Sequence, residues 1–482
     1  MIDLRPVGYV IGLVLATLGA LMLLPMTLDA LSGDPHWAAF LESAVITATA
    51  GGLLALSCRN SVGAGLTLRQ SFVVTAGIWA AVPLFGALPL MLGATGLGFT
   101  DAYFEAMSGV TTTGSTVIVG LDALPRGLNL WRAMLQWLGG LGIVIVALIF
   151  LPVMKVGGMQ FFRTEGFDTL GKVLPRAMDI STALIRVYLG LTVACAAAFA
   201  LVGLDAFDAV THALATVSTG GFSSYDASFG AMTGALEVVA TLFMILAALP
   251  FVRFVQLAQG QARPLWEDRQ VRTFLRWMGY TIVVLTLYRM IRHEDAFWPV
   301  LREVMFNVVS VFTGTGFVSV DVSTWGHMAL VLLLMVGLIG GCSSSTVCSI
   351  KVFRWMILLS AIRAQIRRLH SPHRVQTIRM GHVPVDEEVV SSVMAFVSLF
   401  VLTFGVLIVG LSLTGLSGQT AITAAWTAIA NVGPAWGAEV GPTGAVDGFP
   451  VAAKWMMTVG MYLGRLELLS VIVLLLPRFW RV

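Results

Sequence analysis

Charge is scarce in this sequence: 11% of its 482 residues are Asp, Glu, Lys or Arg, against 57% hydrophobic, for a mean hydropathy of +0.88. That balance excludes an ordinary soluble globule and points to a polytopic membrane protein. The net charge of +3 is too small to suggest a nucleic-acid partner. Cysteine is sparse as well. Cys58, Cys195, Cys342 and Cys348 are scattered, with no C-x-x-C pair; this excludes a disulfide framework or a zinc site of that type and leaves small apolar fillers. His370, His373 and His382 have no metal-ligand cluster around them, so no transition-metal site is expected. No P-loop, H-E-x-x-H or G-x-S-x-G occurs, so the chain reads as neither an enzyme nor a holder of its own cofactor. An arginine at every third position, the mark of a voltage sensor, is also missing.

What is present is a series of apolar stretches, near 7–30, 38–57, 71–94, 129–152, 180–204, 233–257, 274–291, 326–362, 389–416 and 449–477. Each suits a helix of about 20 residues across about 30 Å of hydrocarbon, and only helices can satisfy isolated spanning segments in lipid. The first is too long for a signal peptide and reads as a retained helix. Ten crossings with the N-terminus inside place 21 of the 29 Lys and Arg residues on the inner side, including Lys155, Arg163, Lys172, Arg176, Arg374 and the run of arginines 253–276. Both termini are therefore expected in the cytoplasm. Arg186 and Lys454, near helix ends, are expected to snorkel. The basic segment 360–382 suits either an acidic partner surface or anionic lipid.

The outer connections hold apolar pieces too short to cross, and these repeat. "DAYFEAMSGVTTTGS" (101–115), "DAVTHALATVSTGGF" (208–222), "EVMFNVVSVFTGTGF" (303–317) and "TAITAAWTAIANVGP" (420–434) align without gaps. Asp101, Asp208, Glu303 or Thr420 opens each, where a helix N-terminus favours an acid or hydroxyl. Gly114, Gly221, Gly316 or Gly433 closes it. About ten helical residues rise about 15 Å, half a bilayer. The partly negative helix ends would then favour a cation at mid-membrane, and the extended Thr/Ser/Gly segments beyond could offer rings of carbonyl oxygens to it. A single such patch could merely ease helix packing; four in register are a repeat architecture.

These motifs, with "WLGGLGIVIV", "GGMQFFRTE", "EDRQVRTFL", "GGCSSST…IKVFR" and "GRLE", resemble the TrkH branch of the Trk/Ktr/HKT superfamily of potassium transport proteins. The resemblance implies an all-α integral membrane fold of ten transmembrane helices plus four re-entrant pore half-helices. Its parts would be an N-terminal helix pair (1–60) and four helix–pore loop–helix units around one pore (61–176, 177–265, 266–382 and 383–482). It implies a K+ selectivity filter at Thr111, Thr112, Thr113 and Gly114; Ser218, Thr219, Gly220 and Gly221; Thr313, Gly314, Thr315 and Gly316; and Ala430, Asn431, Val432 and Gly433. All four glycines are kept, which by analogy with plant HKT relatives favours K+ over Na+. Homodimerisation, an inner-membrane location and a cytosolic TrkA-type nucleotide-binding subunit are further implications.

Small polar residues at 340–349 interrupt the eighth stretch. Such a break is tolerable where it lines a wet pore. By resemblance it is an intramembrane gate loop (Gly341, Cys342, Ser343, Ser344, Ser345, Thr346), with Arg465 as an electrostatic barrier. The family pattern G-S-T-x-G-G-I-K carries more glycine than Ser344–Lys351 does here, which predicts a stiffer loop. Trp436, after Pro434 and Ala435, departs from the usual G-P-G and is expected as bulk near the entrance. An H+- or Na+-coupled symporter, or a less selective K+/Na+ channel, is the alternative. Candidate coupling carboxylates are few: Glu42, Glu105, Glu237 and Glu467.

Overall fold

A computed structural model describes residues 3–61, 66–149, 177–293, 296–371, 378–380 and 383–481. Lys155, Arg163, Lys172, Arg176, His373, Arg374, His382 and the "GGMQFFRTE" motif lie outside the described residues.

The chain begins with α1 (Arg5–Leu21), continued by α2 (Leu23–Leu31), and α3 (Trp37–Ser57). Small residues set the spacing of this pair. A Cβ on Gly12 would lie 2.5 Å from the Ala55 nitrogen, and one on Gly51 would lie 2.4 Å from that of Ala16. Such close backbone contact is how helices attract in lipid, where no hydrophobic force separates them from the acyl chains.

A pattern of long, short and long helices then runs four times. First come α4 (Leu68–Gly86) with α5 (Leu88–Leu92), α6 (Phe99–Val110) and α7 (Arg126–Ile149). Next are α8 (Ala177–Leu201), α9 (Ala206–Val217), and α10 (Ala235–Ala247) with α11 (Phe251–Ala258). After the short α12 (Arg263–Glu267) come α13 (Arg269–His293), α14 (Phe297–Phe312), and α15 (His327–Gly337) with α16 (Val352–His370). The last set is α17 (Glu387–Leu413), α18 (Gly418–Ala430), and α19 (Val451–Arg465) with α20 (Leu469–Leu475) and α21 (Pro477–Trp480). Among the described residues the sheet content is one hairpin, β1 (Arg379–Met380) against β2 (Val383–Pro384). One apolar core joins the second and third sets around Phe229, Phe306 and Phe317; the other joins the helix pair to the first and last sets around Phe104, Trp131 and Met457.

The ten expected crossings are not ten straight rods. Among the described residues, six stretches are long and apolar enough to span: Arg5–Leu31, Trp37–Ser57, Leu68–Leu92, Arg126–Val146, Asp179–Leu201 and Glu387–Leu413. The stretch at 233–257 bends by 94° between α10 and α11, where Pro250 lacks an N–H to continue the helix. The stretch at 449–477 bends by 112° at Glu467 and Leu468, whose φ values are 58° and 31°. Arg276 and Arg289 lower the apolarity of α13, which covers 274–291. The stretch at 326–362 is divided into α15 and α16, as its polar interruption predicts. A fourth difference concerns Glu303. The third short helix starts at Phe297, so Glu303 sits in its second turn and pairs with Arg289 at 2.6 Å instead of opening the helix.

Gly12→Leu is expected to force α1 from α3 and destabilise the protein by about 1–3 kcal/mol, the usual cost of overpacking. A lowered thermal midpoint in detergent measures this; an unchanged midpoint would show that the pair tolerates separation.

Candidate functional site

The four short helices α6, α9, α14 and α18 end alike. Two residues before each repeat glycine, the backbone turns left-handed: φ is 52° at Thr112, 52° at Thr219, 67° at Gly314 and 54° at Asn431. The next N–H then donates five residues back, Thr113 to Ser108 O at 2.9 Å, Gly220 to Ala215 O at 2.8 Å, Thr315 to Ser310 O at 2.9 Å and Val432 to Thr427 O at 3.3 Å. This is a Schellman-type helix end, which satisfies late carbonyls and turns the chain sharply out of the helix. Each glycine is again at positive φ, 84°, 80°, 84° and 99° in chain order.

The glycines form a closed ring. A Cβ on Gly114 would lie 2.3 Å from the Gly220 carbonyl oxygen, one on Gly221 1.9 Å from that of Thr315, one on Gly316 1.9 Å from that of Val432, and one on Gly433 2.7 Å from that of Thr113. Every segment thus presses its glycine onto the carbonyl just before the glycine of the next, and the fourth returns to the first. A side chain is barred twice, by space and by φ. Outside the ring is a cavity of about 530 Å³ lined by all four glycines, with Asp226 and Asp321 on its wall.

The hydroxyls and carboxamides of the segments are mostly committed to internal bonds. Thr111 Oγ1 donates to Met107 O at 2.7 Å and lies 2.7 Å from Thr113 Oγ1, so it is turned back onto α6. Thr313 repeats this with Val309 O and Thr315 Oγ1, both at 2.8 Å. Ser218 donates to Ala215 O at 3.1 Å. In the fourth segment Asn431 Nδ2 donates to Thr113 Oγ1 at 2.9 Å and to Met461 O at 3.0 Å, tying that segment to the first and to α19. Ala430 is wholly buried.

Behind the segments is a second layer of side chains that the motif comparison overlooked. Nine residues before the glycine, Glu105, His212 and Asn307 each reach across to the chain leaving the ring. Glu105 accepts from Val117 N at 2.9 Å, His212 Nε2 lies 2.9 Å from Ser223 Oγ, and Asn307 Nδ2 donates to Ser319 Oγ at 2.9 Å. Thr423, one residue earlier in the register, donates to Trp436 O at 2.7 Å in the last set. Arg132 on α7 pairs with Glu105 at 2.9 Å, donates to Ser223 O at 3.0 Å and lies over the Phe222 ring at 4.2 Å. Gln136, one turn further along α7, donates to Gly220 O at 2.5 Å and accepts from Phe222 N at 3.0 Å. The gapless register already contained the Glu105–His212–Asn307 column. Trp436 lines the cavity outside the ring, and its bulk is packed there: it is 8% exposed and stacks on Trp426 at 5.5 Å.

The loop between α15 and α16 is closed at its neck by Gly340 N to Ile350 O at 2.9 Å and Val352 N to Gly341 O at 3.2 Å. Cys342 N donates to Ala248 O at 3.0 Å, and Ser343 N donates to Gln270 Oε1 at 3.0 Å. Ser344 O accepts from Phe251 N at 3.0 Å, which uses the bend between α10 and α11. Ser345 donates within the loop to Cys342 O at 2.7 Å. The tip touches the ring segments: Thr219 Oγ1 donates to Thr346 Oγ1 at 3.2 Å, and Val347 Cγ1 lies 3.7 Å from the Cβ position of Gly314. Ser344 and Ser349, standing where the family pattern has glycine, hold φ of 61° and 62°. A non-glycine residue there costs about 1–2 kcal/mol, so this loop is held strained by its bonds.

Arg465, 1% exposed at the end of α19, donates to Thr346 O at 3.2 Å and to Gly139 O at 2.9 Å, and lies 2.6 Å from Cys348 Sγ. It therefore clips the loop to the "WLGG" turn of α7. Glu467 does not serve it; that carboxylate pairs with buried Arg354 of α16. Lys454 departs from expectation. Its side chain is 6% exposed and bonded to Asp101 at 2.7 Å, because α19 packs against α6, which supplies a carboxylate there. Arg186, expected near a helix end, is the tenth residue of α8 and is exposed.

A family model described as a cation transport protein, TrkH, matches residues 36–481. The Trk system potassium uptake protein TrkI of Halomonas elongata is 40% identical over 479 residues, covering 99% of this chain and 97% of that protein. The corresponding TrkH of Vibrio parahaemolyticus is 34% identical over 486 residues and covers 99% of each. The crystal structure of the potassium transporter TrkH from Vibrio parahaemolyticus superposes with a TM-score of 0.90 at 32% identity, over 100% of both chains. With sequence and fold agreeing across the whole length, the chain belongs to the TrkH family of cation transport proteins.

Proposed function

We propose that this protein takes up K+ across the cytoplasmic membrane through the ring of four glycine segments. The observation that carries this reading is ring closure: each glycine is packed on the carbonyl of the next segment, an arrangement suited to replacing the water shell of a cation with backbone oxygens. The names of the relatives, potassium uptake proteins of the Trk system, support K+ as the ion. The loop 340–349 is the gate and Arg465 its latch and electrostatic barrier, a reading supported by the bonds of Arg465 to Thr346 and Gly139. Family resemblance adds an inner-membrane homodimer with cytoplasmic termini and a cytosolic TrkA-type subunit as the nucleotide-responsive regulator.

A channel is favoured over a symporter by the state of the buried carboxylates. Glu105, Glu237 and Glu467 each have an arginine partner, Arg132, Arg302 and Arg354, so none of the three is left unpaired to couple ion movement. In proteoliposomes at fixed membrane potential and pH, K+ flux is expected to follow the K+ electrochemical gradient alone. Flux that stalls without a proton or sodium gradient would instead establish a symporter, and equal Na+ and K+ flux would establish a less selective channel.

Removing the latch has a calculable effect. A fixed charge several ångströms from a permeating ion costs on the order of 1–2 kcal/mol at an effective dielectric near 20, so Arg465→Ala should raise basal K+ flux about ten-fold. Unchanged flux in correctly folded protein would remove Arg465 from the barrier. Gly316→Ser places an atom against the Val432 carbonyl and is expected to abolish selective flux, whereas Ser349→Gly relieves positive-φ strain and should leave selectivity intact.

A further inference from the structure

Five arginines converge on a cavity of about 490 Å³ at the end of α13 far from α14. Arg269, Arg272 and Arg276 come from one face of α13, Arg363 from α16 and Arg379 from β1. The spacing of the first three, i, i+3 and i+7, puts like charges side by side, which costs an isolated helix a few tenths of a kcal/mol for each pair. Among the described residues no Asp or Glu lines the cavity. The acids just before Arg269 are engaged elsewhere: Asp268 pairs with Arg253 at 2.9 Å, and Glu267 with Arg263 at 2.7 Å. Thr273 and Ser360 add hydroxyl donors to the wall. Arg272 Nε is used by Trp266 O at 2.7 Å, which fixes the side chain while its terminal nitrogens remain for another acceptor.

We propose that this cavity is a binding site for a phosphate group, carried either by an anionic lipid headgroup or by a soluble phosphate compound. Guanidinium groups present planar pairs of donors that match phosphate oxygens, and several of them around one concave wall can neutralise a charge that a single pair could not. The concavity and the hydroxyls favour a compact tetrahedral anion over the flat acidic face of a protein. The position, where α13 and α16 end in basic residues, is within reach of both a headgroup and the cytosol.

The test uses the full-length protein purified in neutral detergent, with phosphatidylglycerol or inorganic pyrophosphate as the probe. Binding is read by native mass spectrometry for the lipid and by calorimetry for pyrophosphate. Arg272→Gln/Arg276→Gln/Arg363→Gln is compared with Arg367→Gln/Arg368→Gln/Arg478→Gln, which removes equal charge from exposed sites outside the cavity. At least one probe is expected to bind the wild type, with affinity falling about ten-fold or more in the cavity variant and about two-fold or less in the control. Binding of the lipid alone identifies a headgroup site, and binding of pyrophosphate alone a soluble ligand. Binding of neither probe, equal losses in the two variants, or capture of an acidic protein with neither probe bound would overturn the proposal.

Discussion

The contact between each repeat glycine and the carbonyl of the next segment is the constraint on which the rest of the molecule depends. It fixes how closely four helix ends approach, and helices behind those ends must be shaped to allow it. Gly139 of α7 would place a Cβ 1.8 Å from Val110 O, and Gly464 of α19 would place one 2.2 Å from Ile429 O. The "WLGG" and "GRLE" motifs are therefore packing surfaces for the ends of α6 and α18. Glycine in the ring, in the caps and in the outer helices serves one purpose, which is to bring polar backbone together in a membrane without intervening side chains.

Positive φ outside glycine separates the ring from the 340–349 loop in kind. Thr112, Thr219 and Asn431 accept left-handed geometry at helix ends where Schellman bonds compensate. Ser344 and Ser349 accept it in a loop held by a neck of backbone bonds and by Arg465. The caps are satisfied locally and are rigid. The loop depends on contacts with α10, α11, α13 and α19, so its conformation is coupled to the placement of four different helices.

Much of this was legible in the sequence because it is local or periodic. The four-copy register, the polar break at 340–349 and the isolation of Arg465 need only spacing and polarity to be seen. The ring order, in contrast, is a relation among segments about a hundred residues apart. The bends after Ala247 and Arg465 fall inside apolar runs of spanning length, where Pro250 and the Arg465–Glu467 pair mark the place but not the angle. Glu467 reads as an unpaired acid because its partner, Arg354, lies 113 residues earlier. Lys454 reads as a snorkelling cation because Asp101 is 353 residues away. The Glu105–His212–Asn307 column was present in the register and went unused because its members differ chemically, while their task of bracing the outgoing strand is common to the three.

The long reach of these pairs bears on how the protein can be made. A ribosome delivers the first short helix, with Asp101 at its start, long before the helix that brings Lys454. Glu467 likewise emerges after Arg354 has entered the bilayer without it. Until the final helices insert, the ring is an open arc whose first carbonyl, that of Thr113, has no Gly433 against it. The fourth segment therefore brings a closure step that neutralises charges left by the earlier ones, and a chain stopped before it would be left with both an open ring and uncompensated charge.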